Sequence, residues 1–157
     1  MLDRKEIEEA LRYQDYVADL LYDEGIPIGI YSSYKYQIEK GESKAGVEIK
    51  YDKRMAETGN IYIEVAERHD PEGQFVKSGI LRKDNTILYA IGNYYKTLLI
   101  AKKDLLKIYK KYPRKVTNTS IGYVIPVKDI EDETIMKWKD GRRYEKENEQ
   151  TSEIGTR

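Results

Sequence analysis

Apolar and polar residues repeat with two different periods along this chain, and the switches between them mark its elements. Over residues 3–23 the spacing is helical. Ile7, Ala10, Leu11, Val17, Ala18 and Leu21 form an apolar stripe, interrupted by Gln14. Asp3, with Glu6 three residues on, predicts a capping box, and Gly25 and Pro27 end the helix. The period then becomes two. In 46–52, Val47, Ile49 and Tyr51 alternate with Glu48, Lys50 and Asp52; in 60–67, Ile61, Ile63 and Val65 alternate with Asn60, Tyr62, Glu64 and Ala66. Further strands are predicted over 28–33, 87–91, 97–101 and 121–127, with a turn at Gly92 and Asn93. Residues 34–45 read as a loop or short helix, and 68–77 as a loop. A basic helix is predicted over 102–112, stopped by Pro113, and a last helix over 127–138. This order predicts one mixed α+β domain, residues 1–139, with a central sheet of five or six strands flanked by helices. From 140 to 157 the chain is almost wholly polar and is expected to be a disordered tail.

Composition narrows the chemistry. The 28 basic and 28 acidic residues balance, so any nucleic-acid site must be a local patch. With no cysteine there are no disulfides, thiolate metal sites or thiol nucleophiles. No apolar run reaches the roughly 20 residues of a membrane span, and Met1 leads into a charged helix, so a soluble cytoplasmic protein is expected. The single histidine, His69, is expected to be exposed in a loop, and no serine carries a nucleophile motif. Fifteen tyrosines against one Phe and one Trp suit half-buried positions, where a ring packs and its hydroxyl stays wet.

The acidic alternation is the strongest chemical signal. If the strands at 46–52 and 60–67 pair as neighbours, Glu48, Lys50, Asp52 and Glu64 converge on one patch. Carboxylates that close repel one another unless a cation sits between them. Mg²⁺ or Mn²⁺ held by Asp52, Glu64 and Glu48, beside Lys50, would hydrolyse phosphodiesters. The same alternation also describes a solvated sheet face with cross-strand Glu–Lys pairs. The run from Lys102 to Lys115, with Lys103, Lys107, Lys110, Lys111 and Arg114, is either a solvated helix face or a phosphate-contacting one. Tyr34, Tyr36 and Tyr62 are candidates to stack on bases.

The segments YSSYKYQIEKGES, GVEIKYD, ETGNIYIE and SGILRKDNTILYAIGN resemble a set of phage and phage-derived proteins from Gram-positive bacteria, and more broadly the PD-(D/E)XK nuclease superfamily. The resemblance implies a restriction-endonuclease-like core, in which a helix precedes a three-stranded meander. It implies a metal-dependent endo- or exonuclease acting on nucleic acid, DNA rather than RNA, in a bacterial host cell. A homodimer is compatible with it. Two frames carry the motif. In the preferred one Asp52 and Glu64 are the acids, Lys50 stands in for the lysine expected where Ala66 lies, and Glu48 is a further ligand. In the other, Glu42 is the first acid and Glu48-Ile49-Lys50 is an intact ExK. Gln14 and Asn60 are expected to support the site. A non-catalytic nucleic-acid-binding or interaction protein on the same fold is the alternative.

Overall fold

The computed structural model describes residues 3–29, 39–41 and 43–145. The first helix, α1 (Arg4–Asp23), begins with the expected capping box: the Lys5 N–H donates to Asp3 Oδ1 and the Asp3 N–H to Glu6 Oε2. Its buried face is turned relative to the predicted stripe. Tyr13, Val17, Leu20 and Leu21 are buried, whereas Ile7 and Leu11 are exposed. Residues 28 and 29 are not in a strand. The rest of the strand expected over 28–33, together with Tyr34 and Tyr36, lies outside the described residues.

Two sheets follow. The first is mixed and five-stranded, in the order β1 (Val47–Tyr51), β4 (Leu88–Gly92), β5 (Lys96–Ala101), β8 (Met136–Lys139), β9 (Arg142–Arg143). Its β1–β4 pair is parallel and the rest antiparallel. The second is antiparallel, in the order β3 (Val76–Lys77), β2 (Asn60–Glu67), β7 (Ser120–Pro126), β6 (Arg114–Val116). Short helices connect them: α2 (Met55–Thr58), α3 (Lys102–Ile108) and α4 (Val127–Ile130).

Strand alternation explains the layering. Ala90 and Leu99 pack with Val47, Ile49 and Trp138 against α1. Their neighbours Tyr89, Ile91, Leu98 and Ile100 pack against Ile61, Ile63, Val65 and Ile125 of the second sheet. The five-stranded sheet is thus covered on both faces, which is why LYAIG and TLLIA are nearly continuous apolar runs. Tyrosine is partly spent in one cluster: Tyr13 lies 4.8 Å from Tyr51 and 5.6 Å from Tyr94, ring to ring, and Tyr94 4.9 Å from Tyr16. The buried Tyr13 hydroxyl is satisfied by Thr97 Oγ1 at 2.8 Å.

Three expectations are corrected. The strands at 46–52 and 60–67 do not pair; β1 and β2 belong to different sheets, so the expected meander does not form among the described residues. The helix expected over 127–138 is one turn, α4, followed by a 3₁₀ turn, Glu131–Glu133, and then by β8, whose Trp138 is drawn into the α1-side core. The boundary expected at residue 139/140 falls inside a hairpin. Asp140 and Gly141 (φ 51° and 76°) form a tight turn between β8 and β9, the conformation that Asp-Gly favours.

Glu131 clamps this hairpin to the sheet. Its carboxylate accepts from Lys96 Nζ (2.8 Å) and from the Tyr144 hydroxyl. Burial pushes its pKa up, but Lys96 and Tyr144 outweigh burial and hold it below its ordinary 4.5. A carboxyl whose folded pKa is depressed contributes stability above its unfolded pKa and loses it as the pH falls through the folded one. Urea titrations of the wild type and Glu131→Gln should therefore differ above pH 4.5 and converge below it.

Candidate nucleic-acid interface

Of the four residues predicted to share the acidic site, Glu48 and Lys50 meet, while Asp52 and Glu64 are each engaged elsewhere. Asp52 follows β1 and is consumed by the backbone. Its Oδ1 accepts the Arg54 and Met55 N–H groups, both at 3.1 Å, and its Oδ2 accepts the Tyr62 N–H at 3.2 Å. This Asx-type turn starts α2 and aims the chain into the second sheet. Glu64, on β2, accepts from the Ser78 hydroxyl at Oε1 (2.7 Å) and from the Ser120 hydroxyl at Oε2 (3.3 Å). Glu48 is buried on β1, with Lys50 Nζ 2.6 Å from its Oε1. No group of three or more His, Asp or Glu side chains able to hold a metal ion forms among the described residues. Both oxygens of Asp52 and both of Glu64, the acids of the preferred frame, are already engaged in hydrogen bonds within the fold. Glu42, the first acid of the other frame, lies outside the described residues. Gln14 is half-buried on α1, which packs on the Val47 and Ile49 side of β1, opposite to the side taken by Glu48 and Lys50.

A polar cluster that the sequence reading missed surrounds Glu48. Asp84, its side chain almost fully buried, lies 3.6 Å from Lys102 Nζ. The buried Tyr89 hydroxyl sits beside Glu48, and burial first, then the charges of Glu48 and Asp84, push its pKa up. Two lysines accompany these two acids, so the cluster is close to neutral.

The open surface lies elsewhere. Ile61, Ile63 and Val65 turn inward, so Tyr62 and Glu64 take the outer face of the second sheet. Gly122 lies opposite Glu64 on β7 and opposite Lys115 on β6, so Lys115 joins that face. Here runs a cleft of about 430 Å³, lined by Arg54, Thr58, Asn60, Tyr62, Lys115, Thr117, Ser120 and Val124 among others. A polar chain fixes its aromatic residue. The Tyr62 hydroxyl lies 2.6 Å from Ser120 Oγ, which in turn donates to Glu64. Burial, followed by the nearby Glu64, holds the Tyr62 phenol above its ordinary pKa of 10.0, against the lowering effect of Ser120.

The basic run leads to this cleft along the chain. Lys103, Lys107, Lys110, Lys111 and Arg114 are all exposed, the first four on α3 and the 3₁₀ turn after it, and Arg114 on the edge strand β6 beside Lys115. Of the expected site residues, Asn60 and the basic run therefore meet the surface, while Asp52, although it lines the cleft, serves the fold. Lys115 closes the basic run, whereas Arg54 and the close packing at Gly122 were not expected from the sequence. A glycine inside the strand SIGYVIP was the available signal, since it marks a close approach. No protein-family model, curated protein or solved structure matches the chain.

Replacing Asp52 removes three backbone hydrogen bonds. Asp52→Ala is expected to cost about 1–2 kcal/mol in urea denaturation with EDTA present. A residue serving only as a metal ligand would leave metal-free stability unchanged or raise it.

Proposed function

We propose that this protein binds nucleic acid through the basic run and the outer face of the four-stranded sheet. One observation carries the reading. Lys50, Lys53, Arg82, Lys96, Lys102, Lys137 and Arg143 each pair with a carboxylate. Lys103, Lys107, Lys110, Lys111, Arg114, Lys115 and Arg54 form no ion pair among the described residues. Lys103 and Lys107, four residues apart, share one face of α3, and Lys110 and Lys111 follow on the 3₁₀ turn. Unpaired cations gathered in one chain segment repel one another, and a row of phosphates relieves that repulsion while releasing counterions. Nothing in this reading requires a metal.

A second reading is a metal-dependent nuclease on a restriction-endonuclease-like core, acting on DNA in a phage or prophage setting. Its support is the close Glu48–Lys50 pair, with Asp84 and Tyr89 nearby. It predicts Mn²⁺-dependent cleavage of DNA or RNA that Glu48→Gln abolishes. Under the first reading binding persists in EDTA and no strand is cut.

Lys107→Glu combined with Lys111→Glu tests the first reading. Both side chains are exposed, so the melting temperature should hold. Affinity for a labelled oligonucleotide, read by fluorescence anisotropy, should fall on the order of tenfold or more at about 0.1 M salt, with a shallower salt slope. An unchanged affinity and slope would remove the basic run from the interface.

A further inference from the structure

The cleft's geometry points to a more specific ligand than a polyanion. Gly122 shows what fills it. A Cβ added there would lie 2.3 Å from Tyr62 Cζ, 2.5 Å from Cε2 and 2.6 Å from the hydroxyl oxygen. The outer end of the Tyr62 ring therefore lies across β7 on the sheet itself, in space that any other residue at 122 would occupy. Gly122 does not have a left-handed backbone, so it is this contact that calls for glycine. The hydroxyl, anchored through Ser120 to Glu64, holds the ring in that pose. With the sheet beneath it, the ring has its free side on the cleft.

The surrounding groups are of the kinds that handle one nucleotide. Asn60 is half-buried at the start of β2, and its carboxamide makes no hydrogen bond among the described residues. An amide offers a donor and an acceptor side by side, the pattern that pairs with a base edge. Arg54, on the turn into α2, and Lys115, on the edge strand, supply exposed cations from different elements lining the cleft. The hydroxyls of Thr58 and Thr117 are already committed to the backbone and shape the wall. At about 430 Å³ the cleft is in the size range of small-molecule sites, not that of a duplex groove reader. An aromatic ring seated on a sheet can stack only on a base whose face is free, and in a duplex base faces are hidden.

We propose that this cleft seats one unpaired base of a single-stranded nucleic acid, stacked on Tyr62, with its edge met by Asn60 and its flanking phosphates by Arg54 and Lys115. The inference rests on the nucleic-acid reading above and narrows it to single strands.

The test uses the full chain with labelled single-stranded DNA and RNA oligonucleotides and duplexes of the same sequence. Single strands should bind at least tenfold tighter than duplex. Tyr62→Leu should lose on the order of tenfold for single strands, and Tyr62→Phe, which keeps the ring, should lose far less. A 5-iodouracil oligonucleotide, photocrosslinked to the wild type and mapped by mass spectrometry, should attach at Tyr62. This arm does not depend on any variant folding. Equal or tighter duplex binding, an undiminished Tyr62→Leu, or crosslinks confined to other tyrosines such as Tyr94 and Tyr95 would overturn the seat while leaving nucleic-acid binding intact. Failure to bind any oligonucleotide would overturn the broader reading itself.

Discussion

Three backbone N–H groups held by one carboxylate decide where everything after β1 goes. Asp52 grips the N–H groups of Arg54, Met55 and Tyr62, so the chain leaves β1 through a single helical turn instead of folding back as a hairpin. Met55, buried in the core between the sheets, anchors that turn from beneath. Because β2 is thereby committed to a second sheet, the edge of β1 is left for β4, and the two sheets can face each other across an apolar layer. An acid in this role is occupied by the fold. Its charge is balanced by amide dipoles at a helix start.

Charge is distributed unevenly over a neutral chain. The cations near the sheet interface and the hairpin are matched, carboxylate by carboxylate: Lys102 with Asp84, Arg82 with Glu67, Lys96 with Glu131. Partly buried charges are retained at low cost only when so paired. Surface charges face no such penalty. The segment from Lys103 to Lys115 can stay cationic, and the balanced totals of 28 and 28 conceal it.

Local signals were legible in the sequence wherever one residue's own chemistry decides the outcome. The capping box of α1, the limits of β2 at 60 and 67 and the turn built on Asn93 all appear where the pattern placed them. Pairing was not legible. Alternation shows that a strand has two faces, and β1 and β2 do alternate, but which strand lies alongside is set by long-range packing. That is why Glu48, Lys50, Asp52 and Glu64 were expected on one patch, whereas Glu48 and Lys50 lie on one sheet and Glu64 on the other. The second miss has the same origin. Residues 127–138 are charged enough to suggest an exposed helix, yet Trp138 finds its place only because α1 and β5 already form a pocket for it. Tyr62 could be suspected from sequence as a stacking residue. Its seat could not, because Gly122 is 60 residues away and becomes relevant only through the β2–β7 register.

Trp138 gives the molecule an unequal optical reporter. It is the only indole in the chain, and it is buried in the core cluster that also holds Tyr13, Val17, Leu21 and Leu99 on the α1 side of the five-stranded sheet. The layer between the two sheets, built from Ile61, Ile63, Leu98 and Ile125, contains no indole. Intrinsic tryptophan emission therefore follows the helix-side core. An opening of the outer sheet that leaves that core closed is dark to it, and the tyrosine rings, Tyr109 and Tyr123 among them, are the chromophores that witness the far side.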